Sequence, residues 1–275
     1  MTFTVRAPAT TANVGPGFDH VAIALDLWNE VEISDASRGQ APDLSHLGVR
    51  AFALLAPPDG LAFRWTDRIP RARGLGSSAA TIALGLVAAC RRLGRPADPE
   101  ELLALGLALE GHADNLAACL AGGACLTWDG RIERLGRHVP AEPVAVIPGH
   151  EVETAAARAA LPEAVPHADA AYTAGRAALL GAALASGSVE LFAAALADRI
   201  HEPYRASGAP LLEELRRDPP PRTLGVTLSG SGPTVIVWVR EGDAAACADA
   251  LAARVPDARV VRLAVTAEGA VLHGG

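Results

Sequence analysis

A glycine- and serine-rich loop, Arg73-Gly-Leu-Gly-Ser-Ser-Ala-Ala80, runs straight into an apolar stretch of helical spacing. Unpaired backbone N–H groups and the positive end of the helix dipole then face whatever the loop holds, which makes the segment an anion site, most naturally for phosphate. Glycine lets the backbone come close, and Ser77 and Ser78 offer hydroxyls to phosphate oxygens or to Mg²⁺. A purely structural strand-to-helix turn accounts for the same residues. Ala79 stands where a third glycine of a dinucleotide fingerprint belongs, so that reading is weak. All 24 basic residues are arginine, and the lack of lysine excludes a Walker A loop, a lysine-dependent protein-kinase fold and any lysine Schiff base.

Three further segments carry polar chemistry. Glu110-Gly-His-Ala-Asp-Asn115 gathers two carboxylates, an imidazole and an amide at a helix end, suited to holding a metal and a substrate, or simply a solvated connector. Thr154 and Arg158 are four residues apart and share one face of a predicted helix, while Arg205 sits in His201-Glu-Pro-Tyr-Arg205. Two arginines can clamp a carboxylate, although arginine is commonly just a surface residue. Gly225-Val-Thr-Leu-Ser-Gly-Ser-Gly-Pro-Thr234 reads as a backbone loop closing over a site, or as a tight hairpin. Neither a hydrolase nucleophile elbow nor a His-Glu-x-x-His metal motif occurs.

The elements that must position these residues alternate between sheet and helix. Strands are expected over 3–9 and 20–34 around the turn at Asn13-Val-Gly-Pro-Gly-Phe18, then a helix over 45–56 and a strand over 61–67 feeding the loop. Helices follow over 77–93, from Asp98 to 110 with Asp98 as N-cap and Pro99 at its first position, and over 116–121. Strands over 124–128 and 144–147 are placed on either side of a turn at Asp129-Gly130. Beyond these come helices over 154–160, 168–185, 188–199 and 211–217, strands over 223–228 and 234–240, a helix over 243–254 and a strand over 259–265. This is an α+β arrangement in two lobes, 1–149 and 150–275.

A chain of 275 residues, 50% hydrophobic, buries roughly three quarters of its unfolded surface without disulfides or metals. Cys90, Cys119, Cys125 and Cys247 sit in Ala-rich stretches without ligand spacing and read as small buried hydrophobes. A net charge of -7, with no long basic run, gives no footprint for nucleic acid or an anionic membrane. The apolar runs fall short of the roughly 20 residues that span a bilayer, and no signal-peptide pattern opens the chain, so a cytoplasmic protein is expected.

Taken in order, four segments resemble the GHMP family of small-molecule kinases, and within it the homoserine kinases: Pro8-Ala-Thr-Thr-Ala-Asn-Val-Gly-Pro-Gly-Phe-Asp19, Arg73–Ala80, Glu110–Asn115 and Val226–Thr234. The likeness extends through Thr154–Pro162 and Asp198–Arg205. It departs in a short stretch between Ile33 and Ser45 and in Ala113, where proline is usual. The resemblance implies a ribosomal-protein-S5-like N-terminal lobe that binds nucleotide, a ferredoxin-like C-terminal lobe, a homodimer, and Mg²⁺-assisted transfer of phosphate from ATP to L-homoserine on the way to threonine. By the same resemblance ATP lies along Pro70, Arg71, Ala72, Arg73, Gly74, Leu75, Gly76, Ser77, Ser78, Ala79 and Ala80, with Mg²⁺ on Ser78 and Glu110. Asn13 and Asn115 orient the attacking hydroxyl, Asp19 and His112 face the amino group, and Arg158 and Arg205 face the carboxylate with Thr154 in support. Asp114 is a candidate base. Another metabolite alcohol as acceptor, or a nucleotide-binding protein without turnover, are the alternatives.

Overall fold

The computed structural model describes residues 2–37 and 41–274. Residues 38–40, within the short stretch noted above, and the two terminal residues lie outside it.

The first sheet is antiparallel. It is made of β1 (Phe3–Ala12), β2 (Val21–Asp35), β3 (Leu61–Thr66), β4 (Ala124–Trp128) and β5 (Arg131–Gly136). The chain's last strand, β10 (Val271–His273), returns to pair with β1, so the order is β10-β1-β2-β4-β5 with β3 also on β2. Helices α1 (Leu47–Ala53), α2 (Ser77–Arg92), α3 (Pro99–Glu110) and α4 (Ala113–Ala121) complete this half. Asp98 caps α3 by accepting from the Glu101 amide at 2.9 Å, and Gly111, at φ 79°, ends it.

The second sheet, β7 (Thr223–Leu228), β8 (Val235–Val239), β6 (Glu142–Pro148) and β9 (Ala258–Arg262), is also antiparallel and runs in that order. It is accompanied by α5 (Thr154–Ala159), α6 (His167–Ser186), α7 (Val189–Ala195), α8 (Glu202–Arg205), α9 (Pro210–Arg217) and α10 (Ala244–Arg254). The change of sheet therefore falls between Gly136 and Glu142, ahead of the expected boundary at Gly149, because β6 pairs with β8 and β9.

Alternation along the central strands joins the halves. Ala145 and Ile147 of β6 and Ile236 and Trp238 of β8 enter the large core shared with the first sheet and α2, whereas Val144, Val146, Val235, Val237 and Val239 enter a smaller core beneath α9 and α10. After β9 the chain crosses back as a strap. Its Ala264 exchanges hydrogen bonds with Asp26, 2.9 Å to the backbone and 2.6 Å to the side chain, where the β1–β2 register slips beside Pro8. All four cysteines are free and buried, and burial pushes the Cys125 thiol up to about 12.

Three differences from the sequence expectation have local causes. β5 has no fully buried residue and reads Arg-Ile-Glu-Arg-Leu-Gly, too polar for an alternation signal. β10 is exposed at all three residues. α7 stops at Ala195 rather than running to Arg199, because the Asp198 carboxylate takes the amides of Ile200, His201 and Glu202 at 2.8–3.2 Å and turns the chain.

Candidate active site

Loops and helix ends from both halves enclose a cavity of about 410 Å³ whose wall includes Asn13, Asp19, Ser78, Glu110, His112, Asp114, Asn115, Thr154, Arg158 and Arg205.

Backbone builds one end of it. Asn29, buried in β2, accepts from the amides of Arg68 (2.7 Å) and Ile69 (2.9 Å) and so fixes where the glycine loop begins. Gly74 and Gly76 have φ of 76° and 68°. A Cβ on Gly74 would stand 2.1 Å from the Ser229 carbonyl, and one on Gly76 1.9 Å from Thr10 Oγ1, so both positions exclude side chains on two counts. Ser229 Oγ donates to the Gly74 carbonyl at 2.6 Å, tying the glycine loop to the β7–β8 loop. α2 starts at Gly76 without a side-chain cap, which leaves its first amides open at the cavity. Of the eleven residues from Pro70 to Ala80, Pro70 and Ala72–Ser78 line the cavity. Arg71 instead turns to Asp67 at 2.5 Å, and Ala79 and Ala80 are fully buried in the core. Arg73 reaches across to the carbonyls of Pro148 (3.0 Å) and Gly149 (2.5 Å) and to Glu151 (3.0 Å).

Beside this end Ser78 Oγ donates to Glu110 Oε2 at 2.5 Å. Burial raises the Glu110 carboxyl above its ordinary range, against the Ser78 hydrogen bond and with the help of the Asp114 charge. Asp114 is also raised, chiefly by burial, while its Oδ1 accepts from the Asn115 amide at 2.7 Å. Asn115 Oδ1 accepts from Thr10 Oγ1 at 2.6 Å. Among the described residues no three His, Cys, Asp or Glu side chains converge as a metal cage. One carboxylate beside one hydroxyl suits Mg²⁺, a hard cation that commonly completes its shell with water and substrate phosphate.

Charged side chains make the other end. Arg158 meets Asp19 through both terminal nitrogens, at 2.9 and 2.8 Å. Arg205 is 6% exposed and donates to the Ala157 and Gly230 carbonyls at 3.4 and 3.2 Å. Both guanidinium groups lie over the Phe18 ring, at 5.9 and 5.2 Å from its centre. The Asn13 amide is engaged on both sides, donating to the Gly230 carbonyl at 2.9 Å and accepting from the Asp19 amide at 3.0 Å. Thr154 Oγ1 lies 3.4 Å from Ser231 Oγ.

Residues not singled out from sequence hold Arg205 in place. His201 Nε2 donates to the Gly15 carbonyl at 2.7 Å, so its Nδ1 is left to accept from Arg205 Nη1 at 3.4 Å. Glu202, fully buried, takes the Leu228 amide at 2.8 Å and pairs with Arg216. Thr10, Asn29, Asp198 and Glu202 look like ordinary strand or helix residues in the sequence, and only their buried polarity in the fold marks them.

Comparison with known proteins follows this geometry. Residues 46–123 match the profile described as GHMP kinases N terminal domain and residues 179–257 the one described as GHMP kinases C terminal. A protein named homoserine kinase from Streptomyces avermitilis is 43% identical over 268 residues, covering 87% of this chain and 86% of the relative. The chain belongs to the GHMP kinase family. Its fold is accordingly the two-lobed α+β fold of these kinases. A second homoserine kinase, from Gloeobacter violaceus, is 38% identical over 92% of this chain and 93% of its own length. Among solved structures, homoserine kinase from Cytophaga hutchinsonii superposes with a TM-score of 0.86 at 27% identity, covering 99% of this chain and 97% of the other. A mevalonate kinase structure, at TM-score 0.73 and 14% identity over 96% of this chain and 99% of its own, shares the fold.

Proposed function

We propose that this GHMP kinase transfers the γ-phosphoryl group of ATP to the side-chain hydroxyl of L-homoserine, giving O-phospho-L-homoserine for threonine synthesis. The observation that carries the reading is the pairing, in one cavity, of an uncapped helix N-terminus at Gly76 with a cluster of one carboxylate and two arginines at Asp19, Arg158 and Arg205. Homoserine is a zwitterion with a hydroxyl. It needs an acceptor for its ammonium, a cationic clamp for its carboxylate and an aligned nucleophile, and relatives named homoserine kinase support that choice.

The glycine loop and the α2 amides bind the triphosphate, and Ser78 with Glu110 would hold Mg²⁺. When bound, Mg²⁺ offsets charge on the phosphate oxygens. Asn115, kept in register by Thr10, orients the hydroxyl, and Asn13 holds the two loops that carry Asp19 and Gly230. Thr154 supports the acceptor, and His112 joins Asp19 at the ammonium. The loose transition state of phosphoryl transfer needs alignment more than a strong base, and orientation of this kind can supply roughly 7–11 kcal/mol. Asp114 is the candidate to take the hydroxyl proton. Four free buried thiols fit the reducing cytoplasm that the reading assumes, and among the described residues no helix is long and apolar enough to cross a membrane.

The test is Mg-ATP turnover followed by ADP release, with L-homoserine, L-threonine, L-serine and mevalonate in parallel and the product identified by phosphorus NMR. Turnover confined to homoserine is expected. Turnover of another alcohol instead, or ATP binding with no turnover, removes homoserine as the acceptor.

A further inference from the structure

The two arginines at the acceptor end differ in what neutralises them. Arg158 gives both terminal nitrogens to Asp19, and the two side chains stay 39% and 36% exposed. Arg205 is nearly buried, yet its hydrogen bonds go to two carbonyls and an imidazole, and Asp19, Asp198 and Asp114 act on it only through space. A half-exposed ion pair contributes little net stability, because water competes for both charges, so its partners are cheap to exchange. A buried guanidinium without a carboxylate gains from any carboxylate that reaches it. Arg158 Nε, buried and without a hydrogen-bond partner, is a further donor left over at the same place.

An amino-acid zwitterion carries the same two charges as the Asp19–Arg158 pair. Resting on the reading of the acceptor as such a zwitterion, we infer that this pair occupies the acceptor site as an internal stand-in and selects for ligands that replace both of its halves at once. The carboxylate settles against Arg205 and takes Arg158, while the ammonium takes Asp19. No charge is then left alone. A ligand with only a carboxylate must break the pair and strand Asp19, so it is rejected by a cost built into the empty site as well as by a missing contact.

The two origins of selectivity separate in Asp19→Asn, assayed with L-homoserine and its deaminated analogue 4-hydroxybutyrate. Asn tolerates the φ of 60° at position 19. If Asp19 is merely a contact, 4-hydroxybutyrate gains from its loss only the small relief of a nearby like charge, which vanishes at high salt, so the assay is run at high ionic strength. If the pair is exchanged, Arg158 becomes free, so the KM for 4-hydroxybutyrate falls about threefold or more while the KM for homoserine rises about tenfold. Arg158→Gln gives the mirror image and guards against a loosened loop in the first variant: 3-amino-1-propanol, an ammonium without a carboxylate, should bind more tightly there than to the unaltered enzyme. Titration calorimetry of the same compounds gives the same signs without turnover, so a protein that fails to phosphorylate homoserine refutes the functional reading while calorimetry still decides the exchange. A gain by the single-charge ligand in either variant supports it. Unchanged or weaker binding of both single-charge ligands in their variants overturns it.

Discussion

The two ends of the cavity use opposite means to bind charge. At the glycine-loop end the groups open to the cavity are backbone amides, fixed by two left-handed glycines, by hydrogen bonds to Asn29 and by one from Ser229. Nothing there must move to meet an anion. At the acceptor end the binding groups are side chains already spent on one another or on carbonyls, and a ligand must displace a partner. Amide donors carry no net charge and can stand uncompensated at a helix end, whereas the Arg158 charge is held by Asp19 and the Arg205 charge by carbonyls and an imidazole. A preformed polyanion site beside an exchangeable zwitterion site suits a common cosubstrate paired with a selective acceptor.

The comparison can be broken where the two ends meet. Glu110→Gln should have the largest effect, lowering kcat by about a hundredfold or more as the carboxylate for the cation is lost. Its stability should move the other way. Burial raises the Glu110 carboxyl in the folded protein, so the native state holds the proton at a pH where the unfolded chain has released it, and stability contributed by the protonated group is lost as pH rises through that window. Glutamine removes this loss, so thermal melts at neutral pH should show an unchanged or higher Tm. A lower Tm with full activity would remove Glu110 from the site.

Arg205→Leu should act on one end alone, raising the KM for homoserine at least about tenfold, as expected for losing a charge-assisted bond, with the KM for ATP unchanged. Steady-state kinetics with each substrate varied in turn separates the two. An unchanged homoserine KM takes Arg205 out of acceptor binding.

Gly74→Ala is the complement and the smallest in activity. Its Cβ would meet the Ser229 carbonyl at 2.1 Å, so the glycine loop must shift. The KM for ATP should rise severalfold with little change for homoserine, and a strain of about 1–3 kcal/mol should lower Tm by several degrees. Equal effects on both substrates would show that the two ends are not independent.

Local pattern made much of this architecture legible. Asp98-Pro-Glu-Glu announces the start of α3, and glycine at 74 and 76 followed by Ser77-Ser78 announces a helix whose N-terminus is open. Such signals survive in the sequence because cause and effect lie within a few residues. β10 escaped because its partner, β1, lies at the other end of the chain, and β5, although it only turns back on β4 through Asp129-Gly130, escaped because its polar sequence carries no apolar period. The charge clusters were visible as residue types, but the partnership of Asp19 with Arg158, 139 positions apart, was not.

The sequence by itself determined the order of most elements, the exclusion of lysine chemistry, the open N-terminal end of α2 and the family to which the chain belongs, because each rests on residue type and short-range spacing. Tertiary structure alone decided that Arg158 is paired and Arg205 is not, that Arg71, Ala79 and Ala80 turn away from the cavity, and that Asn13 holds two loops together. A side chain's charge is written in the sequence. Its partner and its exposure to water are set by which strands and loops the packed cores bring alongside it, and these decide whether the charge is free to bind a ligand.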